Sequence, residues 1–239
     1  MPPDGEFLKD SSRSSNPRMT DPPPPWRAIS ARKLADRQAA LATYPEWHLK
    51  KTVPDSVLNV TEIAWSELTE RESEIVNRDA TSLAEAIRER RYTAVEVIKA
   101  FCHVATMAQQ LTNCLTEVFF HEGLQRAAEL DRHLEETGNV VGPLHGVPVS
   151  IKDHIQVKGH DTSTGYIAWA YKTYAIKDAV AVDLLRRAGA VLYVKTANPQ
   201  TLLVGHFLLL SWRSNNDINY GFYRHWKRII ISTGEPSIP

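Results

Sequence analysis

The run AVAVDLLRRAGAVLYVKT, residues 179–196, constrains the fold more than any other part of the chain. A helical stretch closes on Gly189 and passes at once into a short run rich in branched residues, the order expected where a helix packs on the strand that follows it. Upstream, Gly146 and Pro148 punctuate a turn into VPVSIKD, a second strand-like run. Two strands separated by a loop and a helix predict an α/β sheet layer.

The preceding residues supply helices for that sheet. Asp79 and Thr81 offer caps for SLAEAIRERR, and Thr93 with Glu96 three residues on has capping-box spacing. In the helix that follows Thr93, Ala94, Val97, Ile98, Phe101, Ala105 and Ala108 recur at steps of three and four and define a buried face. CLTEVFF, residues 114–120, alternates as a strand does. A third helix is expected over 122–136, with Leu124, Ala127, Ala128 and Leu134 inward and Gly138 as its stop. Nearer the N-terminus, residues 26–42 carry Ile29, Leu34, Ala39 and Leu41 among basic residues, which suits a helix laid on a larger body.

The flanks differ from this middle. Residues 1–25, rich in Pro and Ser, read as a disordered leader without the apolar core of a signal peptide. Residues 204–239 lose the alternation and read as a divergent, poorly ordered tail. Lys and Arg number 28 against 28 Asp and Glu, so no global field recruits nucleic acid or an anionic membrane surface. No run of eighteen apolar residues occurs. Cys102 and Cys114 match no zinc or redox spacing and read as buried reduced thiols of a cytoplasmic protein.

Lys152 is the sharpest chemical candidate. It closes a strand among Val149, Ile151 and Ile155, where burial would favour the neutral amine, a base. Strand alternation equally allows it to face solvent or pair with Asp153. The hydroxyl-rich residues Asp161 to Gly165 could present Thr162, Ser163 or Thr164 to a ligand, or be an ordinary loop. Gly138, Gly142 and Gly146 lack the Lys-Ser/Thr of a phosphate loop, and the histidines lack the spacing of a helical metal pair.

GPLHGVPVSIKDHIQVKGHDTSTGY, residues 142–166, followed by the run from Asp178 through TANPQTLL, resembles the amidase signature family. TNCLTEVFF adds a likeness to its fungal acetamidase branch. The resemblance spans residues 53–203. It implies a central mixed sheet flanked by helices, incomplete at the C-terminal side, over residues 26–203 with a helical N-terminal region. It also implies a Ser-cis-Ser-Lys hydrolase of carboxamides, with Lys152 as the base acting through a bridging serine, no cofactor, no metal and a small-molecule amide substrate. Substrate-binding residues and oligomeric state, a homo-oligomer among the options, stay open. Family members carry both serines in a GGSSGG loop, which this sequence lacks; Ser211, Ser214, Ser232 and Ser237 have none of its flanking glycines. The expectation is an inactive chain, or else a non-catalytic amidase-like scaffold.

Overall fold

The computed structural model of the chain describes residues 25–54, 57, 60–199 and 202. The leader and the divergent tail, with its four serines, lie outside the described residues, except that Pro25 opens the first helix. Seven α-helices and three strands follow in the described residues: α1 (Pro25–Ala42), α2 (Thr61–Glu67), α3 (Glu70–Val76), α4 (Ala80–Arg88), α5 (Ala94–Thr112), β1 (Leu115–Val118), α6 (Phe120–Thr137), β2 (Pro148–Lys152), α7 (Val180–Arg187) and β3 (Val191–Thr196).

The sheet is mixed, as expected. Its order is β1-β3-β2, with β1 antiparallel and β2 parallel to the central β3. A parallel pair needs a crossover, and the loop and α7 between β2 and β3 provide it. β3 is buried from Val191 to Lys195 because helices cover both of its faces. Val191 and Tyr193 join α5 and α6 through Ile98, Cys102, Phe120 and Leu130. On the other face Leu192 meets Ile151, Val157 and Val182.

The caps follow local chemistry. Asp79 accepts from the Ser82 amide at 2.7 Å, and Thr93 accepts from the Glu96 amide at 3.0 Å. Glu96 does not complete a capping box, because its carboxylate takes Arg71 at 2.7 Å. The start of α5 is sealed instead from α6: Asp131 accepts from the amides of Ala94 and Val95 at 2.6 and 2.9 Å. One carboxylate thereby satisfies two of the donors that every helix start leaves free, and it sits where the helix dipole favours negative charge.

Two helices dock differently from expectation. In α6 the buried face is Gly123, Ala127, Leu130 and Leu134, whereas Ala128 is exposed. The helix begins at Phe120, two residues earlier than expected, and the wider face of Phe120 and Leu130 displaces the alanine. In α1 Leu34 and Ala39 are exposed, and the residues turned toward the body include Lys33 and Arg37. This helix is held by charge and hydrogen bonds, with Leu41 its one buried apolar residue.

Before β2 and β3 pair, their approaches are already joined. Leu144 donates to the Ala188 carbonyl at 2.8 Å, Gly146 to the Gly189 carbonyl at 2.9 Å, and Val191 to the Val147 carbonyl at 2.9 Å. Gly189 has φ +90°, and a Cβ there would lie 2.8 Å from the His145 Cα. Gly138 also has positive φ, +70°, as the stop of α6, with open space around it. Gly189→Ala should therefore cost at least about 1 kcal/mol more than Gly138→Ala, since both force a left-handed alanine and only the first adds a clash with backbone. Urea midpoints at unchanged m-value measure the difference.

Candidate active site

Lys152 stands at the C-terminal end of β2, opposite Thr196 of β3 in the parallel register. It is exposed. Ile151 points into the core and Lys152 points out, as alternation allows, so the burial expected from its apolar neighbours is not supplied by the described residues. The buried lysine at this end of the sheet is Lys195, which has no solvent exposure. Its Nζ donates to the Asp161 carbonyl at 2.6 Å and to Thr162 Oγ1 at 3.2 Å. Burial pulls Lys195 below the ordinary lysine range, against the opposing pull of Asp153, Glu117 and Asp161.

Asp153, next to Lys152, is buried and turned the other way. Its backbone amide extends the ladder by donating to the Thr196 carbonyl at 2.9 Å. Its carboxylate accepts from Thr116 Oγ1 of β1 at 3.0 Å and from Ser163 Oγ at 3.2 Å. The hydroxyl-rich loop is thus fastened to the end of β2 through Ser163, while Thr162 receives Lys195. Thr164 and Gly165 adopt φ of 54° and 77°, a sharp reversal in which the threonine conformation costs about 1 kcal/mol or more.

Asp161 holds the start of that loop. It is 1% exposed and accepts from the Tyr171 amide at 2.6 Å and Thr173 Oγ1 at 2.8 Å, and it pairs with Lys33 of α1 at 2.9 Å. Lys33 also pairs with Glu117 of β1 at 2.5 Å. Although burial disfavours the Asp161 carboxylate, Lys33, the Tyr171 amide and Thr173 outweigh it and hold its pKa below the ordinary range. Burial likewise opposes charge on Lys33, yet its two carboxylates raise its pKa.

His160 lies beside this network. It pairs with Glu122 of α6 at 3.1 Å, has Glu117 at 3.9 Å and packs against the Phe119 ring. Burial would neutralise it, but the two carboxylates prevail and push its pKa up to about 9. Cys114, half-buried, closes the group. Burial raises its thiol pKa, while the nearby charges of Arg37 and Lys152 pull the other way. Cys102 is buried, as expected for a core thiol.

Sequence reading singled out Lys152 and the loop; the structure brings the loop against Asp153, one residue along from Lys152. It missed Lys33, Glu117, Asp153 and Lys195, which gather around Asp161 and the hydroxyl-rich loop, and Arg37, which reaches the Leu115 carbonyl and Asn113. The available signals were a lysine one residue before the end of an otherwise apolar strand and two basic residues four apart in α1.

Residues 96–206 match the family model described as Amidase. The acetamidase of Emericella nidulans is 43% identical over 185 residues, 76% of this chain and 33% of its own length. A Schizosaccharomyces pombe protein provisionally named amidase C550.07 is 48% identical over 183 residues, covering 74% of this chain and 33% of its own length. Among solved structures, a fatty acid amide hydrolase superposes with TM-score 0.69 at 35% identity, covering 75% of this chain and 32% of that one. The chain thus carries Amidase-family sequence over residues 96–206, and it spans about a third of the length of these relatives.

The paired His160 carries a pH dependence whose sign follows from its raised pKa. Its contribution to stability is full below the ordinary histidine pKa of about 6.5 and is lost as pH rises through the folded value. The stability difference between the parent and His160→Gln should be largest near pH 6 and shrink toward pH 10. A pH-independent difference in urea unfolding would refute the pairing.

Proposed function

We propose that this chain carries the lysine-bearing part of an amidase-signature hydrolase that converts carboxamides to carboxylates and ammonia through an acyl-enzyme. Lys152 is the base in this reading. The observation that carries it is the place of Lys152 at the C-terminal end of a parallel strand, beside a buried carboxylate that fixes the strand end. The likeness to an acetamidase and to a fatty acid amide hydrolase supports an amide substrate.

The base needs a hydroxyl to deprotonate. In the family that hydroxyl belongs to a serine pair in a glycine-rich loop, and the 239 residues contain no GGSSGG sequence. A base without its nucleophile loses the part of catalysis that the groups share. By itself, then, this chain is catalytically silent, and it keeps the strand, the lysine and the loop as a scaffold. The exposure of Lys152 favours that reading, because nothing among the described residues encloses a reacting amide over it.

Incubation with a serine-reactive fluorophosphonate, read by intact mass, should leave the chain unlabelled, and acetamide should release no ammonia above buffer. Stoichiometric labelling that disappears on changing Ser211, Ser214, Ser232 or Ser237 to Ala would establish an active chain instead.

A further inference from the structure

α1 meets the sheet along a narrow ridge. Lys33 and Arg37, one turn apart, reach toward β1, and a hollow lies on either side of them. One is a chamber of about 210 Å³, with Ile29 and Leu34 on the α1 side and Asp153, Ser163 and Ile167 on the other. The second, of about 170 Å³, is bounded by Asp36 and Ala40 of α1 and by Tyr171 and Tyr174. A helix packed on a core fills the grooves beside its contact row with side chains. Along these turns α1 leaves them open.

The two ends of the helix are held in different ways. Leu41 lies in the core with Trp47, and Tyr44 packs against the same cluster. Tyr44 stacks on Trp47 with ring centroids 4.4 Å apart, and both rings meet Phe120 at steep angles. Before Ala40 no residue of α1 is buried, and polar contacts hold the helix. Lys33 pairs with Glu117 and Asp161, the Tyr171 hydroxyl donates to Asp36 at 2.6 Å, and the Arg32 guanidinium lies 4.3 Å over the Tyr171 ring.

Salt acts on these two ends unequally. The Lys33 and Glu117 side chains are 23% and 20% exposed, so dissolved ions reach the pair and screen it. The burial of Leu41 and Trp47 does not depend on charge. Arg37 adds a bias toward release. It donates through Nη1 to the Leu115 carbonyl at 2.6 Å and through Nη2 to Asn113 Oδ1 at 2.7 Å, yet its Nε is buried without a hydrogen-bond partner among the described residues. Docking leaves that donor unbonded, and water would satisfy it once the helix lifts.

We propose that α1 is a hinged lid: residues 25–40 lift from the sheet as a unit about Leu41 when the Lys33 latch is screened or removed, and the lifting opens the chamber onto Asp153 and Ser163. The aromatic cluster after Leu41 is the fixed side of the hinge. The device needs no assumption about the reaction, so its failure would leave the amidase reading untouched.

Hydrogen–deuterium exchange of the full chain, read by mass spectrometry over α1, residues 43–48 and α5, tests this. An undocked helix of this length is marginal in water, so α1 amides exchange whenever the lid lifts. Raising NaCl from about 0.01 M to about 1 M shortens the screening length from about 30 Å to about 3 Å and should speed α1 exchange at least about fivefold, with α5 unchanged. Lys33→Met keeps the apolar stem without the ammonium; it should speed α1 about tenfold at low salt and remove most of the salt response. Tyr171→Phe removes only the hydroxyl bond to Asp36, leaves the partners of Asp161 in place and should speed α1 about threefold. This second variant carries the test should Lys33→Met not fold. Exchange of α1 at the rate of α5 at every salt concentration, no response to salt, or acceleration of residues 43–48 together with α1 would each overturn the proposal.

Discussion

Asp161 is the interaction on which the rest of this end of the molecule depends. Its carboxylate gathers Lys33 from α1 and the Tyr171 amide and Thr173 hydroxyl from the return of the loop, while its carbonyl receives Lys195 from β3. A buried carboxylate without partners would carry a desolvation cost of several kcal/mol. Partnered on all sides, it fixes three separate segments at once. Replacing its side chain would leave Lys33 with Glu117 alone and the Tyr171 amide without its acceptor.

That arrangement explains why α1 sits where it does. A helix with little apolar face cannot dock through the hydrophobic effect alone. Here Lys33 and Arg37, one turn apart, reach the sheet through Glu117 and the Leu115 carbonyl, and the Tyr171 hydroxyl returns to Asp36 at 2.6 Å. The chamber beneath the helix is a product of this polar docking, since a tighter apolar seam would leave no space.

How much of this was legible follows from the range of each interaction. The strand β3, the face of α5 and the caps at Asp79 and Thr93 could be read because propensity and periodicity act over a few residues. The face of α6 was read one step off, because the aromatic at its start counts as strand by composition and as helix by packing. The docking of α1 was not legible: its residues look solvated until partners 84 positions away are known. Lys152 was recognisable as the end of a strand, while its exposure depends on what surrounds it in three dimensions. Strand alternation allowed Lys152 to face solvent, as it does, while the buried lysine is Lys195, one residue before the end of the adjacent β3, where no local signal singled it out.

The joint between Gly146 and Gly189 has a consequence for how such a chain can vary. Because β2 and β3 are zipped together before either strand starts, the position of Lys152 is counted outward from that joint along five residues of strand. One residue inserted within that count would turn Lys152 toward Ile151's side and send an apolar residue outward. One residue inserted in the loop after Asp153 would leave it in place. Length variation is thus confined to one side of a single peptide, and the chemistry of this end of the sheet is written as a distance from two glycines.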